Sequence, residues 1–332
     1  MPISDSRAAT GAFPSATVSQ ETRVGITDDL AFNDIEAPRR WGGPWTLVKL
    51  ETLKKYLIAY TNALKNQRFR LVYIDAFAGT GMCDVGDVDV YSGSASIALD
   101  VRPPFQKYIF IEQKAANCTQ LQSLLMRRQY LAVKDGERED GHANAHVIQG
   151  DANEELACIC AKTDWTSTRA VLFLDPFGMS VAWTTLQKIV ATKAIDVWYL
   201  FPLNAVYRQL AHDLSAVDPD KRASLTRTLG TADWERNFYE EPRVADLFGD
   251  ERSPQRHVDW KVIADSVTQR LRSIFVRVSE PKLLYHTWPG STVPRAPLFA
   301  LYFAVSNPSP AAGALAFRIA EHILKPDTRA VS

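Results

Sequence analysis

The stretch Leu71-Val72-Tyr73-Ile74-Asp75-Ala76-Phe77-Ala78-Gly79-Thr80-Gly81 runs from four apolar β-formers directly into an acid and two glycines. A short apolar run of this kind predicts a strand buried on both faces. The glycines behind it predict a tight loop whose backbone a ligand can approach closely.

The same grammar repeats downstream. Tyr108-Ile109-Phe110-Ile111 ends in Glu112, His146-Val147-Ile148 ends in Gly150-Asp151, and Ala170-Val171-Leu172-Phe173-Leu174 ends in Asp175-Pro176-Phe177-Gly178. Helical segments follow at about 115–128, 154–161 and 183–192, and a further strand is predicted at 195–201. Alternating strands and helices build a parallel sheet with helices on both faces. The expected fold class is therefore α/β, Rossmann-like and mostly parallel.

Upstream, Leu47, Leu50, Leu53, Leu57 and Tyr60 recur at spacings of three and four, predicting an amphipathic helix over 46–65 with Lys49, Lys54 and Lys55 mostly off its apolar stripe. Residues 84–91 read as a loop excursion, and Ser92-Gly93-Ser94 as the cap of a helix over 95–99. Downstream of Tyr207 the chain becomes polar, net acidic and helical in pattern. Trp234, Phe238, Tyr239 and Trp260 are scattered anchors there, and a helix is expected over 262–275. Two late apolar runs, 282–288 and 298–305, suit an antiparallel pair, closed by a helix over 312–324. The expected divisions are a tail (1–27), a lead-in with its helix (28–70), a core (71–206), a helical insertion for substrate or partner recognition (207–280), and terminal strands and helix completing the core (281–332).

Composition narrows the function classes. The 332 residues carry 38 Lys+Arg against 38 Asp+Glu, with 46% hydrophobic residues. That balance excludes wholesale disorder and a broadly basic nucleic-acid coat, but not a local basic patch. Four cysteines without a C-x-x-C pair read as free thiols, and the six histidines lack metal-ligand spacing. No apolar run reaches the length of a membrane span and the first residues lack a signal-peptide core, so a soluble, cytoplasmic protein without membrane contact is expected.

Four consecutive strands thus end in carboxylates: Asp75, Glu112, Asp151 and Asp175. In an open α/β sheet, ligands bind outside the carboxyl ends of the strands. The glycine loop is no P-loop, because no G-K-[ST] follows, and Asp84 stands where G-x-G-x-x-G requires glycine. An acid directly before the loop also disfavours a diphosphate. S-adenosylmethionine, with a sulfonium, an ammonium and no phosphate, fits better. Glu112 suits its ribose diol and Asp151 its adenine amine. Asp151 equally suits an N-cap, Phe177 a core contact or a substrate contact, and Trp41 with Trp45 a lid or an anchor. Ser94 reads as a cap and Trp183 as core. Lys65, Arg68 and Arg70, like Arg127 and Arg128, read as solvated surface that leaves a local nucleic-acid contact possible.

The motifs resemble those of class I S-adenosylmethionine-dependent methyltransferases. Asp75-x-Phe77-x-Gly79-x-Gly81 resembles their first motif, Gly150-Asp151-Ala152 the adenine-side motif, and Asp175-Pro176-Phe177-Gly178 the catalytic motif. Together with Leu229-Gly230-Thr231 and Trp234, they resemble more narrowly the bacterial three-Cys-motif partner family. The resemblance implies a seven-stranded sheet and S-adenosylmethionine held by Asp75, Phe77, Ala78, Gly79, Gly81, Glu112, Gln113, Asp151, Ala152 and Asp175. It also implies catalysis at Asp175, Pro176 and Phe177, and a companion protein that carries the three cysteines. One departure stands out: amine methyltransferases of nucleic acids carry [DN]-P-P-[FYW], and here the ring is one place early, at Phe177. Two expectations follow: methyl transfer to a nitrogen, with a nucleic-acid base favoured, or a cofactor-binding or degenerate fold serving as the companion's partner. A nicotinamide-dependent oxidoreductase is weaker on both counts given for Asp75 and Asp84.

Overall fold

A computed structural model of the protein describes residues 44–85, 89–128, 144–240, 253–285 and 297–325. The expected tail, Trp41, and residues 286–288 of the predicted strand 282–288 lie outside them.

The chain enters through α1 (Pro44–Leu64), reaches β1 (Arg70–Asp75), and turns through a small hairpin of β2 (Met82–Val85) and β3 (Asp89–Ser92). That hairpin occupies the predicted loop excursion. Then come α2 (Ser94–Asp100), β4 (Lys107–Glu112), α3 (Ala115–Arg127), β5 (Asn144–Gln149), α4 (Ala152–Lys162), β6 (Thr168–Leu174), α5 (Trp183–Ala191) and β7 (Ile195–Phe201). The insertion follows as α6 (Leu203–Gln209), α7 (Pro219–Leu229), α8 (Trp234–Phe238), a two-residue pair β8 (Tyr239–Glu240) and β9 (Gln255–Arg256), and α9 (Trp260–Ile274). The chain closes with β10 (Arg277–Val278), β11 (Lys282–Tyr285), β12 (Pro297–Val305) and α10 (Pro310–Leu324).

The central sheet runs β10-β12-β7-β6-β1-β4-β5, with β11 also on β12. β5, β4, β1, β6 and β7 are parallel, and β12 is antiparallel to β7. The sheet has eight strands where seven were expected, for a definite reason. β10 and β11 both pair with the same side of β12, at its two ends. Between them Ser279 keeps the pairing alive: its N–H donates to the Phe303 carbonyl (2.9 Å) and its hydroxyl accepts from the Phe303 N–H (3.0 Å). The outermost position is one edge strand in two pieces.

Alternate side chains of each strand enter two separate cores, as a period of two demands. Val72, Ile74, Leu172, Leu174, Val197 and Tyr302 pack with α4 to α7 and α9 on one face. Leu71, Tyr73, Val171, Phe173, Trp198 and Phe303 pack with α1, α2, α3 and α10 on the other. Trp183 is buried in the first core, as read from sequence. In α1 the predicted stripe holds for Leu50, Leu53, Leu57 and Tyr60, but Leu47 is 39% exposed.

Candidate functional site

The strand order places the site. From β1 the chain steps outward one way to β4 and β5, then returns to β6 on the other side of β1 and continues to β7. The carboxyl ends of β1 and β6 therefore flank the crevice where the sheet reverses direction, the position at which open α/β sheets bind ligands. Across this edge the four acids follow the spatial order Asp151, Glu112, Asp75, Asp175, because their strands run β5-β4-β1-β6.

Asp75 is fully buried, at 0% exposure. Its Oδ1 accepts the Phe77 N–H (3.2 Å) and its Oδ2 the Tyr73 hydroxyl (3.4 Å), with a third bond from the Ser94 hydroxyl. Desolvation dominates over these bonds and raises its carboxyl to about 6, with nearby Asp175 adding to the rise. Asp75 thus acts on the loop backbone. Ser94 is the first residue of α2, behind an N-cap at Gly93 that has no side-chain cap bond. The expected cap is replaced by a tie between hairpin exit and strand end.

The glycine loop adopts the conformations its sequence permits. Gly79 and Gly81 have φ of +60° and +78°. A Cβ at Gly79 meets nothing within 4 Å, so that glycine faces open space, whereas one at Gly81 comes within 2.7 Å of Leu124. Ala78 is buried and Phe77 half-buried. Glu112, 6% exposed, fixes the loop from the neighbouring strand: its Oε2 accepts the Gly79 N–H (3.0 Å) and its Oε1 the Lys114 N–H (2.8 Å). Gln113 is exposed beside it. A carboxylate has about four acceptor positions, so both oxygens retain capacity.

Asp151 is the N-cap of α4, accepting from Asn153 N (2.8 Å) and Glu154 N (3.3 Å), both through Oδ1. Ala152 is the buried first residue of that helix. The next residue, Asn153, reaches across to the loop after β6. Its Nδ2 donates to the Ser180 carbonyl (2.9 Å), and its Oδ1 accepts from Ala182 N (2.9 Å) and the Thr185 hydroxyl (2.8 Å). Arg227 and the Thr228 hydroxyl both donate to the Met179 carbonyl from the insertion. So pinned on two sides, the loop carries Gly178 at φ +58° and presents Phe177, 59% exposed, outward over buried Pro176. Of the two sequence readings of Phe177, the core contact is excluded.

Lys49 is the residue that sequence reasoning missed. Its ammonium donates to Asp175 Oδ2, and both side chains are largely buried. One turn of α1 projects it over the end of β6, 126 residues away in sequence. The available signal was a lysine bordering an apolar stripe, which most often means solvated surface, as it does for Lys54 and Lys55.

Among the described residues no cluster of metal-ligating side chains and no helix able to cross a membrane occurs. No family model matches the chain, and no curated protein matches it. Solved structures do. Protein LPL1258 from Legionella pneumophila is 11% identical over 86% of this chain and 94% of its own (TM-score 0.45). Trm1 from Pyrococcus horikoshii, solved with S-adenosyl-L-methionine, is 12% identical over 83% and 58% (TM-score 0.36). An S-adenosylmethionine-dependent methyltransferase from Clostridium acetobutylicum is 8% identical over 77% and 91% (TM-score 0.32). These likenesses are distant, and the fold assignment rests on the strand order.

Proposed function

We propose that the protein is an S-adenosylmethionine-dependent methyltransferase acting on a nitrogen, with an exocyclic amine of a nucleic-acid base as the favoured acceptor. One observation carries the reading: a row of carboxylates at adjacent strand ends, with an open glycine loop at one side of the crevice and the Asp175-Pro176-Phe177 loop at the other. The donor set suits a cationic, phosphate-free cofactor, which supplies an electrophilic methyl group on sulfur. Glu112 has acceptor capacity for a diol, Asp151 keeps Oδ2 outside its capping bonds, and Gly79 leaves room for close approach. Phe77, Ala78, Gly81, Gln113 and Ala152 would line the remainder. Asp75 serves by holding the Phe77 N–H and the Tyr73 and Ser94 hydroxyls.

At the acceptor side, the Asp175 carboxylate and the Pro176 carbonyl accept the amine's hydrogens. This aims the nitrogen lone pair at the methyl group, and catalysis is chiefly positioning. Exposed Phe177 offers its ring to a base extruded from its stack. Lys49 acts through Asp175: it holds the carboxylate aimed, and its charge disfavours a cationic amine such as a lysine side chain. The shifted ring is accommodated because Gly178 at positive φ turns the loop outward directly after Phe177.

The test is transfer of labelled methyl from S-adenosylmethionine onto fractionated cell extract. Label in nucleic acid, lost in Asp175→Ala, supports the reading; label confined to protein or absent from every fraction contradicts it. A second reading, a cofactor-binding partner of a three-cysteine-motif protein, draws on that same displaced ring. A stable co-purifying complex that transfers no methyl would favour it.

A further inference from the structure

A cavity of about 240 Å3 lies at the amino edge of the sheet, opposite the carboxylate crevice. It opens between the second half of α1 and α10, with Tyr60, Ala63, Phe69 and Ala316 among its walls and Arg169 and Asp196 at its base. The walls are apolar, and the base holds an acid and a guanidinium on neighbouring strands. The register sets Asp196 opposite Val171, so Arg169 is its diagonal neighbour on the same face. Each has a fixed place and spare capacity. Asp196, only 7% exposed, accepts the Tyr56 hydroxyl through Oδ2 (3.0 Å). Arg169 lies over the Phe69 ring at 4.0 Å and spends Nη1 on the carbonyls of Trp165 (2.8 Å) and Thr168 (2.7 Å), leaving Nε and Nη2 as donors.

We infer that this cavity is a binding site for a small, uncharged molecule with an apolar body and an amide-type head. Such a head carries a donor and an acceptor on adjacent atoms, so its N–H meets Asp196 while its carbonyl meets Arg169. A head that is only a donor leaves Arg169 unmet, and one that is only an acceptor leaves Asp196 unmet. A purely apolar molecule leaves both polar groups desolvated and unmet, which is costly. At the roughly 30 Å3 that each water occupies in the liquid, the volume admits about eight water-sized groups, the scale of a monocyclic amide. The inference stands independently of the methyltransferase reading, because it uses none of that site's residues.

Benzamide is the probe, added to the full-length protein carrying methyl-labelled alanine. The expected result is saturable change at the Ala63 and Ala316 methyl resonances at millimolar concentration or below. Toluene at matched concentration should bind at least tenfold more weakly. Arg169→Leu should weaken benzamide binding about tenfold, and Ala316→Phe, which fills the cavity, should abolish it without lowering Tm. No saturable response to benzamide overturns the inference. So does equal binding of toluene and benzamide, which marks the cavity as an apolar void, and so does unchanged binding in Ala316→Phe.

Discussion

The buried Asp196 makes the residue-scale energetics measurable. Burial raises the Asp196 carboxyl to about 7 against an ordinary value of 3.8, outweighing the Tyr56 hydrogen bond and the attraction of Arg169. Its folded-state value lies above the unfolded one, so the folded state binds the proton more tightly. The associated stability is fully present below about pH 4 and is lost as pH rises through about 7. Asp196→Asn keeps an acceptor for Tyr56 and removes the titration. The variant should match wild type near pH 4 and be more stable at pH 8 by on the order of 4 kcal/mol, at about 1.4 kcal/mol per pKa unit. Denaturant titrations at the two pH values read this difference, and equal stabilities at pH 8 would contradict the buried-charge account. Lys49 gives the second residue-scale prediction. Lys49→Met should leave S-adenosylmethionine affinity within about twofold and lower kcat/KM for methyl transfer roughly 100-fold, since a misplaced acceptor group costs on that scale. Equal loss of cofactor affinity would mean that Lys49 serves the cofactor and not Asp175. The four acids were legible in the sequence because each ends an apolar run. Their division of labour was not: whether a carboxylate faces a ligand, a backbone N–H or a distant lysine depends on contacts that only the fold creates.

At the scale of elements, periodicity located α1, α3, α4, α5, α9, α10 and the parallel strands to within a few residues, but gave no bounds for α7 inside the polar insertion. It failed where pairing depends on a remote partner. The hairpin of β2 and β3 has too short an apolar pattern to separate from loop, and the gap between β10 and β11 is bridged only through the contact of Ser279 with Phe303 on a remote strand. The segment Leu229-Gly230-Thr231 shows how insertion and core are locked together. Gly230 ends α7 with φ +72°, and a Cβ there would stand 2.0 Å from the Trp183 ring. Arg270 covers the other surroundings of that ring at 4.7 Å and donates to the carbonyls of Leu229 and Gly230. Gly230→Ala should therefore cost roughly 2–5 kcal/mol, combining left-handed backbone strain with overpacking. A loss below 1 kcal/mol in denaturant unfolding would show that α7 and α5 are not rigidly joined here.

For the whole molecule, the zero net charge conceals a polar sheet. Its carboxyl edge collects carboxylates around a glycine loop, and its amino edge holds the Arg169–Asp196 pair. One helix, α1, spans both: Lys49 meets Asp175 near its start, and Tyr56 and Tyr60 meet Asp196 and the amino-edge cavity further along. The sequence order of strands could not reveal that β6 returns beside β1, and that single topological fact brings Asp75 and Asp175 to one crevice. On the function proposed, this crevice holds S-adenosylmethionine, with Glu112 as a principal ligand. Hydrogen bonds to a charged group contribute about 1.5–3 kcal/mol each, so losing one lowers affinity roughly 10- to 150-fold. The most direct measurement is calorimetric titration of the wild-type protein and Glu112→Ala with S-adenosylmethionine. One saturable site is expected in the wild type and at least tenfold weaker binding in the variant, whereas no binding to the wild type, or equal affinity in both, would contradict a cofactor held by Glu112 in this crevice.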